Sequence, residues 1–166
     1  MKLDLHEIIE VPGGKVPFEY ILPADNLGFD SVTEYISGPH AAGRVINRAG
    51  VLELEGSVDA KLRCICDRCG AEYVLPKHTD LFAVISEDAD EEDPDLFPLH
   101  GDEIDLDDII STLFVLSMDM KFLCSESCKG LCSRCGKNLN YGPCECRKEP
   151  DPRFAVLEQL LDKLEQ

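Results

Sequence analysis

The sequence predicts an α+β protein: an antiparallel β-rich body, arranged as a meander or a partly closed barrel, with one packed helix, then a cysteine-rich C-terminal lobe and a terminal helix. Three observations predict this. Apolar and polar residues alternate through the first half, an apolar stripe at helical spacing follows an acidic run, and six of the nine cysteines fall within residues 123–146. The 166 residues suffice for one domain with a small appendage.

The predicted body begins with strands joined by short turns. The strand candidates lie at residues 15–22, 42–66 and 71–86. The Asn47–Gly50 segment has the composition of a tight turn, and Gly56 is expected to mark a bulge. Pro76 is expected at a kink or at a sheet edge, because proline cannot donate to a strand ladder. Since no long helix separates the strands, they are predicted to pair antiparallel.

An acidic loop and one helix are predicted to complete an acidic β-rich domain over residues 1–120. The loop, at 86–103, contains the run SEDADEEDPD, which indicates either a solvated flexible loop or a docking site for a basic partner. The helix is predicted at about 104–118, with Asp105 as its N-cap. Its core-facing stripe comprises Leu106, Ile109, Ile110, Leu113 and Phe114.

Charge is distributed unevenly along the chain. The net charge is −17; residues 1–120 hold 8 Lys and Arg against 26 Asp and Glu, whereas residues 121–166 hold 8 against 7. So acidic a body repels phosphate backbones and favours a basic protein partner. No apolar run approaches the roughly 18 residues of a membrane span, and the N-terminus lacks signal-peptide features. A cytoplasmic location, with no membrane partner, is therefore expected.

The cysteines predict metal binding. In a reducing compartment, clustered thiols favour metal over disulfides, and Cys-x-x-Cys turns supply paired thiolates to zinc. Two such turns occur, each followed by glycine. The simplest assignment is two zinc sites, one formed by Cys66, Cys69, Cys124 and Cys128, the other by Cys132, Cys135, Cys144 and Cys146. Cys64 is left over, either as a core thiol or as a substitute for Cys66.

All-thiolate sites are saturated and act as poor Lewis acids, so the metal is interpreted as structural. Iron in a four-sulfur site is the alternative metal. No nucleophile, nucleotide-binding or metalloprotease motif is visible, and the four histidines are scattered. Residues 121–166 are thus predicted to form a zinc-knuckle lobe whose C-terminal helix, at about 152–165, has Asp151 as its cap and Pro152 in its first turn.

The segments CDRCG, LCSESCKGLCSRCGKNLNYGPCEC and DPRFAVLEQL make the chain similar to the bacterial YceD family of large ribosomal RNA subunit accumulation proteins. The resemblance covers most of the chain and carries over all eight metal-type cysteines. It implies a non-enzymatic ribosome-biogenesis factor that supports synthesis, processing or accumulation of large-subunit ribosomal RNA. Its partner would be a ribosomal or rRNA-processing protein, with rRNA contact through the C-terminal lobe.

Two other function classes stay open at this point. The first is a metal- or thiol-dependent enzyme, which requires an exchangeable metal ligand or a dithiol that cycles. The second is a zinc-ribbon adaptor that binds a basic protein. The oligomeric state is left open.

Overall fold

The computed structural model describes residues 1–24, 27–87, 89 and 96–146. Its elements are β1 (Lys2–Asp4), α1 (His6–Ile9), β2 (Lys15–Ile21), β3 (Val32–Arg48), β4 (Val51–Ile65), β5 (Glu72–Ser86), β6 (Leu96–Pro98), β7 (Glu103–Asp105), α2 (Leu106–Leu116) and a short 3-10 helix (Leu139–Tyr141). Strands β2 to β5 form an antiparallel meander, and β6 joins β5 in parallel. Strands β2 and β6 are the edges of this sheet, so it is an open meander and not a closed barrel.

The predicted turn joins β3 to β4. Ala49 and Gly50 both have positive φ, 55° and 99°, as a tight hairpin turn between two strands needs. The buried Asn47 side chain accepts a hydrogen bond from the Gly50 N–H at 2.8 Å and donates to the carbonyls of Ile8 and Ile9. One buried amide therefore fixes the hairpin turn and attaches α1 to it, with no polar atom left unsatisfied.

The expected bulge at Gly56 is wrong. Gly56 lies directly opposite Gly43 in an unbroken register, and the irregularities of this strand pair lie in β3 between Val32 and His40. The glycines are needed because the backbones approach closely: a Cβ on Gly43 would lie 2.3 Å from the Glu55 carbonyl oxygen, and one on Gly56 would lie 2.5 Å from that of Ala42. Glycine here marks close contact between strands, not an extra residue.

The acidic loop is shorter than the predicted 86–103. Leu96, Phe97 and Pro98 form β6, which pairs in parallel with Val84–Ser86, and Glu103 already belongs to β7. Because β6 covers only the last residues of β5, Pro76 has a strand partner on one side alone among the described residues, Lys61 of β4. Its edge position is confirmed.

Helix α2 matches the prediction closely, but it spans 106–116 because β7 takes residues 103–105. Asp105 is the N-cap, and its side chain accepts from the Asp107 N–H at 3.0 Å. The stripe packs on the inner face of the sheet, with Leu106, Ile109, Ile110 and Phe114 buried. At about 1.5–3 kcal/mol for each buried side chain, this face is a large part of the core.

A two-stranded sheet, antiparallel β1–β7, completes the core and was not predicted. Strands of three residues are too short to show a periodicity. No helix among the described residues is long and apolar enough to cross a membrane. The predicted C-terminal helix at 152–165 lies outside the described residues, and the division of the chain between residues 120 and 121 stays a prediction.

Candidate metal centre

The turn between β4 and β5 presents the first pair of cysteines. The Cys66 N–H bonds to the Ala71 carbonyl at 2.9 Å, and the Gly70 N–H bonds back to the Cys66 carbonyl at 2.8 Å. Gly70 has φ of 68°, which a side chain would strain. The closed turn holds the side chains of Cys66 and Cys69 in the same buried pocket.

The chain after α2 returns to this turn, and this return segment, residues 121–128, is attached to the turn through Asp67. The Asp67 N–H bonds to the Phe122 carbonyl at 2.8 Å, and its carboxylate accepts from the Phe122 N–H at 2.7 Å. Hydrogen bonds from Ser31 and the Phe122 N–H lower the pKa of Asp67. The Phe122 ring is buried in the main core, 6.3 Å from the Phe29 ring centroid. These contacts place the residues that follow Phe122 beside the β4–β5 turn.

The return segment brings two more cysteines to the first pair. The Sγ atoms of Cys66 and Cys128 are 3.8 Å apart, those of Cys69 and Cys124 are 3.7 Å apart, and all four lie within 4.8 Å of one another. A tetrahedral zinc site with bonds of about 2.3 Å requires sulfurs about 3.8 Å apart. These four residues, here called the first cysteine set, therefore fit a metal ion.

Arg68 and Gly130 hold the segment that carries Cys128 against the β4–β5 turn. The Arg68 guanidinium donates to the Cys128 carbonyl at 3.0 Å, and the Leu131 N–H donates to the Arg68 carbonyl at 3.1 Å. A Cβ on Gly130 would lie 2.9 Å from that carbonyl oxygen. The chain can pass this close to the turn only because residue 130 is glycine.

The turn at 132–136 repeats the hydrogen bonds of the turn at 66–70, and each of these two turns is called a knuckle below. The Cys132 N–H bonds to the Lys137 carbonyl, and the Gly136 N–H bonds to the Cys132 carbonyl, both at 2.9 Å; Gly136 has φ of 72°. Four sulfurs again lie within 4.8 Å of one another. This second cysteine set comprises Cys132, Cys135, Cys144 and Cys146.

The surroundings of the sulfurs shift their pKa values in opposite directions within each set. Burial opposes ionisation of Cys66, but backbone N–H groups, that of Cys124 first, outweigh it and lower its pKa to about 6. N–H groups of its own turn lower the pKa of Cys132 to about 6. Burial and neighbouring sulfurs raise the pKa of Cys124 to about 12, and the Cys135 sulfur followed by burial does the same to Cys146. A divalent cation would relieve the repulsion among the thiolates.

Sequence reasoning missed Asn140, which joins the two sets. It lies in the loop between Cys135 and Cys144, yet its Nδ2 donates to the Cys128 sulfur of the first set at 3.3 Å. Its Oδ1 accepts from the Lys129 N–H at 2.7 Å. The loop is rich in Gly, Asn and Pro, a composition that indicates turns but does not indicate which residue faces the other set.

Cys64 belongs to neither set. It is fully buried in the main core beside Tyr35 and Tyr73, and burial raises the pKa of its thiol. Of the two sequence interpretations, the structure supports the core thiol. The two sets can hold two ions, and a set of four sulfurs leaves no open position for a substrate.

A comparison with protein-family models identifies the family of this chain. The family model described as large ribosomal RNA subunit accumulation protein YceD matches residues 54–161. The chain belongs to the YceD family. The match begins in β4 and includes all eight clustered cysteines, so the YceD region contains the complete candidate metal centre.

Two plant relatives carry the name large ribosomal RNA subunit accumulation protein YCED homolog 1, chloroplastic. The protein of Arabidopsis thaliana is 29% identical over 74% of this chain and 48% of its own length, and that of Zea mays is 27% identical over 62% and 46%. An uncharacterized protein of Mycobacterium bovis is 32% identical over 68% and 56%. The chain thus spans about half the length of these curated relatives. No solved structure matches it.

Proposed function

We propose that this YceD protein is a non-enzymatic factor that supports the synthesis, processing or accumulation of large-subunit ribosomal RNA. The family description and the names of the two plant relatives supply this role. The observation that carries the non-enzymatic part is the ligand composition of both sets: each gathers four sulfurs within 4.8 Å of one another, which favours a structural ion over a catalytic one.

Zinc is the ion proposed for both sets, two per chain. The proposed ligands are the eight cysteines that the sequence indicated: Cys66, Cys69, Cys124, Cys128, Cys132, Cys135, Cys144 and Cys146. When bound, zinc would cross-link the chain segments that carry these sulfurs. Soft thiolate shells of this shape suit zinc or iron, and elemental analysis of protein purified without oxygen separates the two. A zinc content near two per chain is expected; iron in its place would overturn the metal assignment.

The partner proposed is a basic ribosomal or rRNA-processing protein in the cytoplasm. Acidic residues outnumber basic ones 26 to 8 over residues 1–120, so the body attracts basic proteins and repels bare phosphate. The C-terminal lobe, in which the two are balanced, is the part suited to rRNA contact. The proposed protein partner and rRNA would therefore bind different parts of the chain.

Depletion of the protein in its source organism tests the role. The ratio of large-subunit to small-subunit ribosomal RNA should fall on depletion and recover when the wild-type chain is restored. The double variant Cys66→Ser, Cys132→Ser should fail to restore it, whereas Cys64→Ala, which removes only a core thiol, should restore it. An unchanged ratio on depletion would refute the proposed function. Affinity capture with and without nuclease then separates protein partners from RNA.

A further inference from the structure

Tyr141 is exposed in a way that the other tyrosines are not. Its side chain is 86% exposed, and its hydroxyl has no partner among the described residues. By contrast, Tyr20 donates to Asp107, Tyr35 donates to the Leu27 carbonyl, and burial raises the pKa of Tyr73 to about 12. Three tyrosines thus serve the core, and one presents its ring to solvent.

The Tyr141 ring is presented on a rigid support. It ends the 3-10 helix, whose first turn is capped by the Asn138 side chain accepting from the Asn140 N–H at 2.9 Å. The Leu139 N–H bonds to the Gly130 carbonyl at 2.9 Å. Since Asn140 is itself held by the Lys129 backbone and the Cys128 sulfur, the support is anchored to the first cysteine set. A rigid ring loses little entropy when another ring stacks on it.

The groove that Tyr141 borders has a mixed lining, in which polar and apolar surface contribute about equally. Its volume is about 380 Å³, and besides cysteines of the first set its lining includes Ser125, Ser127, Lys129, Asn138, Asn140 and Tyr141. The Asn138 Nδ2 has no hydrogen-bond partner among the described residues and can donate to a carbonyl oxygen.

We infer that this groove binds an unpaired base of single-stranded RNA, stacked on Tyr141, with Asn138 donating to the base edge and Lys129 contacting a phosphate. Flat aromatic rings beside amide donors are the usual means by which proteins hold splayed-out RNA bases. The inference rests on the proposed function and specifies where that function contacts RNA.

Electrostatics limits this contact to a short segment. Four thiolates with a divalent ion carry a formal charge of about −2 per set, so the loaded lobe does not attract phosphate over long distances. Lys129 is the one basic side chain lining the groove. Binding should therefore depend weakly on salt, with a log–log slope of about −0.7 for each phosphate contacted, and should favour single strands over duplexes.

Titration of the zinc-loaded full-length protein with short oligouridylate and oligoadenylate tests the inference. Tyr141→Ala should weaken binding about 5- to 150-fold, the range found for removal of one stacking ring, whereas Tyr141→Phe should bind as the wild type does. Phe82→Ala is the matched control, because Phe82 is also exposed, at 59%, but lies on the outer face of β5. Binding is measured with end-labelled oligonucleotides. Because the chain has no tryptophan, the quenching of tyrosine fluorescence that the wild type shows and Tyr141→Phe lacks reports stacking on Tyr141.

Three results would overturn the inference: no RNA binding by the wild type, equal binding by Tyr141→Ala, or cross-linking from position 141 to a protein instead of RNA in cells. The proposed function is tested separately by the ribosomal RNA ratio on depletion. If depletion lowers that ratio and Tyr141→Ala restores it fully, the assignment of RNA binding to the groove is wrong and the proposed function stands. If depletion leaves the ratio unchanged while RNA still binds at Tyr141, the proposed function is refuted and the assignment of RNA binding to the groove stands.

Discussion

The two cysteine sets share one local geometry but differ in what they join. In the first set Cys66, Cys69 and Cys128 are buried, and the sulfurs connect the β4–β5 turn to a segment more than 50 residues later. The second set lies wholly within residues 132–146, and Cys135 is exposed. Two turns of the same type therefore differ in role: the first takes part in a long-range connection, and the second closes a local loop.

Loop length makes these two connections unequal in free energy. Cys69 and Cys124 are 55 residues apart, whereas Cys135 and Cys144 are nine apart. Because the entropy of loop closure grows with the logarithm of loop length, a cross-link in the first set restricts the unfolded chain by about 1–2 kcal/mol more. The first set also shares its surroundings with the sheet, so loss of its metal should disturb the body.

The largest effect is expected from Cys66→Ser. It should remove one metal ion per chain and lower the free energy of unfolding by about 4 kcal/mol or more, because a structural site that anchors the sheet is lost. Chemical denaturation and elemental analysis measure both quantities. Cys64→Ala is the control, expected to keep two ions. Two ions in Cys66→Ser would show that the ligand assignment is wrong.

Cys132→Ser should also remove one ion, but with a local consequence. The strand circular dichroism should persist and global unfolding should change by no more than about 1 kcal/mol, because no sulfur of the second set comes from the sheet. Limited proteolysis should cut within residues 129–146 far faster than in the wild type. A loss of sheet stability as large as in Cys66→Ser would contradict the claim that the second set acts only locally.

Asn140→Ala tests whether the sets are connected. In the wild type, a chelator should take metal first from the second set, because none of its cysteines is buried. Removing the amide that donates to the Cys128 sulfur should speed loss from the first set about 10-fold, as loss of hydrogen bonds to metal ligands commonly does. Lys137→Ala, whose ammonium donates to the Pro143 carbonyl in the same loop, should affect the second set alone. Equal release curves for Asn140→Ala and the wild type would mean that the sets act independently.

The smallest effect on the metal sites is expected from Asp105→Ala. Losing the N-cap of α2 should cost about 1 kcal/mol of stability, because the Asp107 N–H loses its acceptor. Metal content should stay at two ions, and the rate of metal loss to chelator should be unchanged. If that rate rose with so mild a change in the body, the first set would depend on the global stability of the sheet and not on its own contacts.

Features carried by neighbouring residues could be predicted from the sequence. The N-cap at Asp105, the buried stripe of α2 and the turn at Asn47–Gly50 follow from residue preferences that act within a few positions. Gly56 shows the limit of that reasoning. It was correctly recognised as unusual, but the close approach of Gly43 from the neighbouring strand, which makes glycine necessary, is a contact between strands that residue type alone does not show.

By itself, the sequence determined the alternating strands, the amphipathic helix and the two knuckles, because each depends on backbone geometry over five or six residues. The sequence also favours grouping Cys124 and Cys128 with Cys66 and Cys69 as the simplest assignment. Only the tertiary structure decides the Asp67–Phe122 hydrogen bonds that bring them together, the hydrogen bond from Asn140 across to the other set and the parallel pairing of β6. These contacts join residues far apart in the chain, and burial of Phe122 and packing of the core bring them together. Their free energy comes from packing and loop closure, which no short sequence pattern encodes.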